Sequence, residues 1–512
     1  MGGCQGGEKE KFVSSTGPRD LLHAPLCRAE DLGCPIPDSP HATSVAMPLW
    51  RHVIGYEEGD PEIVNRLACG YPRFVVHPRV RDLFQACLER SGRKGETCFA
   101  FPSERLAKEC VAFLHEQEVP SARLAAQPGG VYAALFPEAA FPHAKRFWQH
   151  FGGIVSSRLA EAALGHRDED PVNIEADRIL RDRIARLAGC RAETIFLYPT
   201  GMAALAASLA MVQELRPGAK SIQLGFPYVD GLKIQTVRGP GAHFFPTAGT
   251  EDLETIARLV RDESISGLFC ELPGNPMLRS ADIPALSAIL RPAGVPLIVD
   301  DTVATFENVD VLPWADIVVS SLTKSFSGVG DVMAGSLILS ESSSYFGRFV
   351  QWQTRHYENL LWHEDAAVLE RNSRDFPERQ RRMNENALAL CQWLRERPEV
   401  ETVYYPHFEA KDHYDKVRKA EGGYGGLFSI LLRDGVHRSA PFYDALEITK
   451  GPSLGMNYSL ACPYTLLAHY TELEWAESLG IPAHLIRVSV GIEPVDELKA
   501  RFERAFAASE QG

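Results

Sequence analysis

The chain has 512 residues, 45% hydrophobic and 23% charged, enough to bury a large core in two or three domains. Its 53 basic and 67 acidic side chains leave a net charge of -14, and with no long basic block this argues against nucleic-acid binding. The 11 cysteines form no CxxC or CxxH pair and no apolar run reaches membrane-spanning length, so neither a metal site, a disulfide framework nor a membrane span is expected, and a reducing cytoplasm fits.

Residues 1–40 are rich in Gly, Pro and charge and predict a poorly ordered N-terminus whose removal is tolerated. The start, MGGCQGGEKEK, has no apolar signal core, and Gly6 departs from the myristoylation pattern. Residues 41–150 read as an accessory region, and deletion of residues 1–140 is expected to cost solubility or cofactor. Within it Pro102 and Ser103 start a predicted helix with Leu106, Cys110, Phe113 and Leu114 at helical spacing. The runs GYEEG and GYPRF read as packing and turn chemistry.

From 151 to 350, helical segments alternate with short apolar strands, which predicts an α/β domain with a mainly parallel sheet. VNIEADRILRDRIARLAGC is an amphipathic helix, and TIFLYPTGMAALAASLAMV is a strand, a turn and a helix. Further strands are expected in SIQLGFP, ISGLFCELP, VPLIVDD and DIVVSSL. Residues 351–512 are first helical (ERQRRMNENALALCQWLRERP) and then offer GGLFSILLRDG and LIRVSVGIE as strands of a smaller α+β domain.

Several candidate site residues fall at predicted strand ends, where open α/β sheets bind ligands. Lys324 follows the apolar run WADIVVS and sits among small hydroxylated residues; burial there lowers a lysine pKa and frees the amine for a Schiff base. Taken alone, it is better explained as a strand-end lysine that reaches water. Gly201 and Met202 open a helix whose N–H groups suit a phosphate, although a glycine in such a turn is usually only a turn. Asp300 ends a strand, where it either caps a helix or meets a protonated pyridine nitrogen. Tyr228 offers an aromatic face to a planar cofactor or to the core. Together these are the parts needed by pyridoxal 5'-phosphate, an electron sink held by a lysine, a pyridinium partner and a phosphate cradle.

The ordered runs TGMAAL (200–205), ELPGNP (271–276), VDDT (299–302), SLTKSFSGVGDVMAG (321–335), SLG (453–455) and LIRVSVGIE (485–493) resemble the Cys/Met-metabolism family of pyridoxal-phosphate enzymes. PHATSVAMPLW, IGYEEG, GYPRFVVHP and ACPYTLLAHYTELEWA extend the resemblance to the fungal-type cystathionine γ-synthase branch, over about residues 40–505. The resemblance implies a large, mainly parallel-sheet cofactor domain of aspartate aminotransferase-like fold type I, a smaller α+β C-terminal domain and the N-terminal accessory region. It implies that Lys324 carries the cofactor, Asp300 pairs with the ring nitrogen, Tyr228 stacks on the ring and Asn275 bonds the ring hydroxyl. Gly201, Met202, Ser321 and Thr323 hold the phosphate, and Arg487, helped by Ser453, grips a substrate carboxylate. Arg158 corresponds to an arginine that reaches the phosphate across a subunit interface, which implies a homodimer or homotetramer.

Some positions depart from the family pattern. Ser156 stands where a Tyr precedes that arginine by two residues, Asp301 adds a carboxylate near the ring, Val229 and Asp230 change the wall after the stacking Tyr, and Tyr458 replaces a common Glu.

Lys324 then acts as the mobile base and Tyr228 assists departure of the leaving group. The expected reaction is γ-replacement on the small-molecule amino acid O-acylhomoserine, with cysteine giving cystathionine. A γ-lyase releasing 2-oxobutanoate and ammonia, a replacement with another sulfur or carbon nucleophile in specialised metabolism, and a non-enzymatic homologue are the alternatives.

Overall fold

Short apolar runs ending in polar residues, such as LIVD at Leu297–Asp300 and IVVSS at Ile317–Ser321, form strands buried on both faces, with their polar ends at one edge. The computed structural model describes residues 19–126, 129–165 and 174–510. Seven strands make one sheet in the order Ala242–Phe245, Lys220–Leu224, Ile265–Glu271, Leu297–Asp300, Ile317–Ser321, Gly335–Leu339, Ile195–Tyr198. The first five are parallel neighbours, and Gly335–Leu339 runs antiparallel to both of its partners. The strands expected from SIQLGFP, ISGLFCELP, VPLIVDD and DIVVSSL are all present.

Two strands of this sheet were not anticipated. AHFF at Ala242–Phe245 is a four-residue edge strand, and GSLIL at Gly335–Leu339 emerges from the glycine-rich run after Lys324. Neither has the alternation or length that marks a strand in isolation; pairing with the sheet supplies what local pattern lacks.

The register sets the polar ends side by side. Asp300 lies opposite Glu271 on one neighbouring strand and Val319 on the other. The helix Gly201–Leu215 begins against the same edge: Ala203 N donates to the Thr200 hydroxyl at 3.0 Å, capping it. A Cβ on Gly201 would stand 2.9 Å from Ser321 Cβ, so only glycine lets this helix start approach the strand end so closely.

The C-terminal part forms a five-stranded sheet in the order Val400–Tyr404, Leu427–Leu432, Ile486–Ser489, Leu460–Cys462, Thr449–Lys450, flanked by Phe376–Arg395 and Val495–Ser509. The accessory region has a three-stranded antiparallel sheet, Glu96–Phe101, Tyr132–Pro137 and Arg123–Ala126, with helices Pro78–Ser91, Glu104–Glu116 and Phe141–Phe151. Ser103 caps Glu104–Glu116 as the sequence predicts, and Leu106, Cys110, Phe113 and Leu114 are buried. An aromatic cluster fills this core, with Trp148 stacked on Phe99 at 5.4 Å between ring centroids. Among the described residues, no helix is long and apolar enough to cross a membrane.

The expectation of a poorly ordered N-terminus does not hold for residues 19–40; residues 1–18 lie outside the described residues. Leu21, Leu26 and Ile36 are buried against Met456, Tyr458 and Leu460. Arg501 Nη2 donates to Leu22 O at 3.0 Å, and Leu26 N donates to the Thr449 hydroxyl at 3.2 Å. The Gly, Pro and charge content conceals these well-spaced apolar anchors. Each is worth about 1.5–3 kcal/mol of burial, so deleting residues 1–40 should lower the thermal unfolding midpoint by several degrees; an unchanged midpoint in calorimetry would contradict this packing.

Candidate active site

The polar strand ends, the start of Gly201–Leu215 and the inner face of the accessory region enclose a cavity of about 370 Å³, large enough for a small-molecule ligand. Lys324 lies in a turn three residues beyond Ile317–Ser321, its N–H donating to Ser321 O at 3.2 Å. Its Nζ donates to Ser453 Oγ at 3.4 Å and lies 4.5 Å from the centroid of the Tyr71 ring. Burial pulls its pKa below the usual lysine value; the charges of Arg487 and Arg73 act in the same direction, and Tyr71 opposes them.

Asp300 and Glu271, brought together by strand register, form an unusual pair. Thr302 N donates to Asp300 Oδ1 at 2.9 Å and Tyr228 N donates to Glu271 Oε1 at 2.5 Å, yet neither carboxylate has an ion-pair partner among the described residues. Burial pushes both up, Glu271 to about 8 with help from the Asp300 charge. Such a pair calls for a cation on the cavity side. Across the cavity, Arg487 on Ile486–Ser489 is held by Asn275 Oδ1 at 3.3 Å, Pro452 O at 2.8 Å and Ser453 O at 3.2 Å, and lies 4.7 Å from the centroid of the Tyr464 ring.

The accessory region supplies the remaining wall. Arg73 is buried and donates to Asp230 Oδ2 at 2.6 Å, Tyr228 OH at 2.5 Å and Gln149 O at 2.8 Å. Gln149 Nε2 donates to the second Asp230 oxygen at 3.1 Å, and His150 Nδ1 lies 3.2 Å from that oxygen. Burial alone would raise the Asp230 pKa, but Arg73 and His150 outweigh it and hold the carboxyl down at about 2. Tyr71 shows the same contest: burial raises its phenol, while Lys324 and Arg73 pull it below its ordinary value.

Residues 172–507 match the family model described as Cys/Met metabolism PLP-dependent enzyme, and residues 79–156 match the fungal trans-sulfuration enzyme N-terminal domain. The chain belongs to this family. It is 34% identical to a cystathionine gamma-synthase from Neurospora crassa over 94% of this chain and 99% of that protein. It is 32% identical to the cystathionine gamma-synthase-like enzyme iboG2 of Amanita muscaria, over 94% of this chain and 97% of that protein. The crystal structure of a Xanthomonas oryzae pv. oryzae cystathionine gamma synthase in complex with aminoacrylate and cysteine superposes with a TM-score of 0.57 at 24% identity, covering 66% of this chain and 87% of that one, which establishes fold type I.

The site fits the cofactor of this family, pyridoxal phosphate. Asp300 and Glu271 are half-buried carboxyl groups with raised pKa values and, among the described residues, no cation partner, Lys324 is a half-buried amine with a lowered pKa, and the Gly201 helix start is a cradle that a Cβ would disturb. Lys324, Tyr228, Gly201, Met202, Asn275, Asp300, Ser321 and Arg487 all line the cavity, and Ser453 touches Lys324.

Other expected residues lie elsewhere. Thr323 is fully buried and does not line the cavity; its hydroxyl pairs with Ala334, donating to O at 3.3 Å and accepting from N at 3.1 Å. Arg158 donates to Asp365 Oδ1 at 2.9 Å and Asp331 O at 2.8 Å within its own chain, so its placement gives no support to a contact across an interface. Ser156 caps the helix Ser157–Ala163, accepting from Leu159 N at 3.1 Å. Asp301 is bonded by the Ser320 hydroxyl behind the sheet edge, not beside the ring, because successive strand residues face opposite ways. Tyr458 is buried and donates to Val329 O at 3.1 Å.

Ser156 leaves no Tyr two residues before Arg158, but a Tyr-x-Arg pair, Tyr71 and Arg73, does line the cavity. The same spacing was visible in GYPRF, where the aromatic and proline content read as a turn. Asp230→Asn should leave the Arg73 cation buried without a counter-charge and cost about 3–5 kcal/mol. Because the Asp230 pKa is depressed on folding, its contribution is complete above the ordinary 3.8 and is lost as the pH falls toward about 2. The wild-type to variant gap in denaturant midpoint should therefore be constant near neutrality and narrow only in acid; no gap at neutral pH would refute the pairing.

Proposed function

We propose that the chain catalyses γ-replacement on an O-acylhomoserine, with a thiol, most plainly cysteine, displacing the acyl group to give cystathionine. The observation that carries this reading is the placement of Lys324, Tyr71 and Arg487 around one cavity that also has a wall from the accessory region, leaving room for a second substrate beside the first. Bound pyridoxal phosphate supplies an electron sink for negative charge developed next to the amino-acid α-carbon. Gly201, Met202 and Ser321 would hold its phosphate, Asp300 its ring nitrogen, Asn275 its ring hydroxyl and Tyr228 its face.

Arg487 fixes the substrate α-carboxylate in a bidentate fork, for which Asn275 and the Pro452 and Ser453 carbonyls already orient its guanidinium. Tyr71, with its phenol pulled down by Lys324 and Arg73, is placed to take a proton from the incoming ammonium. Lys324 removes the α-proton and passes it on, a second proton leaves the β-carbon, and both positions are reprotonated after the thiol has added, the thiol's own proton leaving with the carboxylic acid. The C–O bond at the γ-carbon breaks, releasing the carboxylic acid, and a C–S bond forms in its place. Tyr228 OH, held by Arg73 at 2.5 Å, faces this side of the cavity and assists departure of the acyl group.

Incubation with O-acetyl- or O-succinyl-homoserine should give cystathionine when cysteine is present, with 2-oxobutanoate suppressed by the thiol. Lys324→Ala should lose both this product and the visible absorbance of bound cofactor. Equal 2-oxobutanoate with and without cysteine would replace this reading by the γ-lyase one.

A further inference from the structure

The charges that line the cavity can be assigned in turn, and two are left over. Lys324 is the base, Arg487 meets the first substrate's carboxylate, and Arg73 is matched by Asp230. Lys233, also on the lining, lies 3.6 Å from Glu472. Asp300 and Glu271 face the cofactor. The remaining cation is Lys145 and the remaining anion is Glu57; among the described residues, neither forms a hydrogen bond or an ion pair, and both are half-buried on the lining.

Both come from the accessory region. Glu57 is on the helix Trp50–Glu58, and Lys145 is on Phe141–Phe151, one turn before Gln149, which is fixed to Asp230. They therefore belong to the part of the lining that the accessory region supplies, separate in sequence from the strand ends that would hold the cofactor. An unpartnered half-buried charge of each sign on one wall matches the ends of a zwitterion. We propose that Glu57 and Lys145 form the subsite for the second substrate, an α-amino acid thiol, with Glu57 receiving its ammonium and Lys145 its carboxylate. This rests on the γ-replacement reading and names the nucleophile class it uses. Burial alone raises Glu57 to about 7, consistent with a carboxylate that meets no cation until a ligand brings one.

The test compares cysteine with 2-mercaptoethanol, an uncharged thiol, using whichever O-acylhomoserine the wild type turns over. Glu57→Gln and Lys145→Met should each raise the KM for cysteine roughly tenfold, the loss of one charge-assisted contact, and move the KM for 2-mercaptoethanol by less than about twofold. Turnover of the uncharged thiol also reports that each variant is folded and loaded with cofactor. An unchanged KM for cysteine, or equal shifts for both thiols, overturns the subsite while leaving γ-replacement standing. A wild type that forms no thioether with either thiol overturns γ-replacement itself, and the subsite with it.

Discussion

The buried contact between Arg73 and Asp230 joins two parts of the chain that are far apart in sequence, and the cavity depends on it. Two ions taken out of water are costly, and at 2.6 Å with almost no exposure the pair is tolerable because neighbouring groups add further polar contacts. Gln149 donates to Asp230 and His150 lies beside it, while Gln149 O and Tyr228 OH accept from the two Nη groups of Arg73. Geometry this demanding leaves little freedom to slide: the loop carrying Tyr71, the helix carrying Gln149 and the helix that begins after Tyr228 are pinned to one point. The accessory region is thus a structural wall of the site, attached by this ion pair together with apolar contacts such as those of Met47 and Val53 with Leu466.

Beyond that wall the site is organised by unfinished electrostatics. Asp300 and Glu271 are placed in register by the sheet and are left without a cation, and Lys324 is half-buried beside a phenol and not a carboxylate. A protein designed only for stability would pair or delete these groups. Their retention makes sense when a planar cation with a phosphate tail completes the set, supplying a positive ring nitrogen to the carboxylates and negative charge to the helix start at Gly201. The same environment that binds the cofactor keeps the lysine amine available as a base.

Much of this was legible in the sequence, for a physical reason. Strands such as LIVD and IVVSS must be apolar because both faces are covered, and the abrupt change to Asp300, Ser321 and Lys324 marks where they meet ligand. Thr200 and Gly201 announce a capped helix start by residue type alone. What escaped is what tertiary context decides. Tyr71 and Arg73 lie in a loop with no periodicity, and nothing local separates a loop that turns away from one that enters a site. Asp301 was placed near the ring through its neighbour, although the two-residue period of a strand puts adjacent side chains on opposite faces. Thr323 carries suitable chemistry, but Ala334, placed beside it by the fold, claims it first.

These placements change how the departures from the family pattern are understood. Ser156, Asp301 and Tyr458 do not touch the cavity: one caps a helix, one is buried behind the sheet edge and one bonds a loop carbonyl. They cannot by themselves redirect the reaction. Asp230 does line the cavity, but its charge is consumed by Arg73, so it fixes a wall without presenting an anion to substrate. The variation able to alter chemistry is therefore confined to side chains that line the cavity and have no internal partner. That group includes Val229, directly after Tyr228, as well as Glu57 and Lys145 on the accessory region. In the proposed reaction such an arrangement would divide the work: the sheet edge carrying Lys324 would serve the proton transfers, while the accessory wall would bear on which nucleophile approaches the γ-carbon.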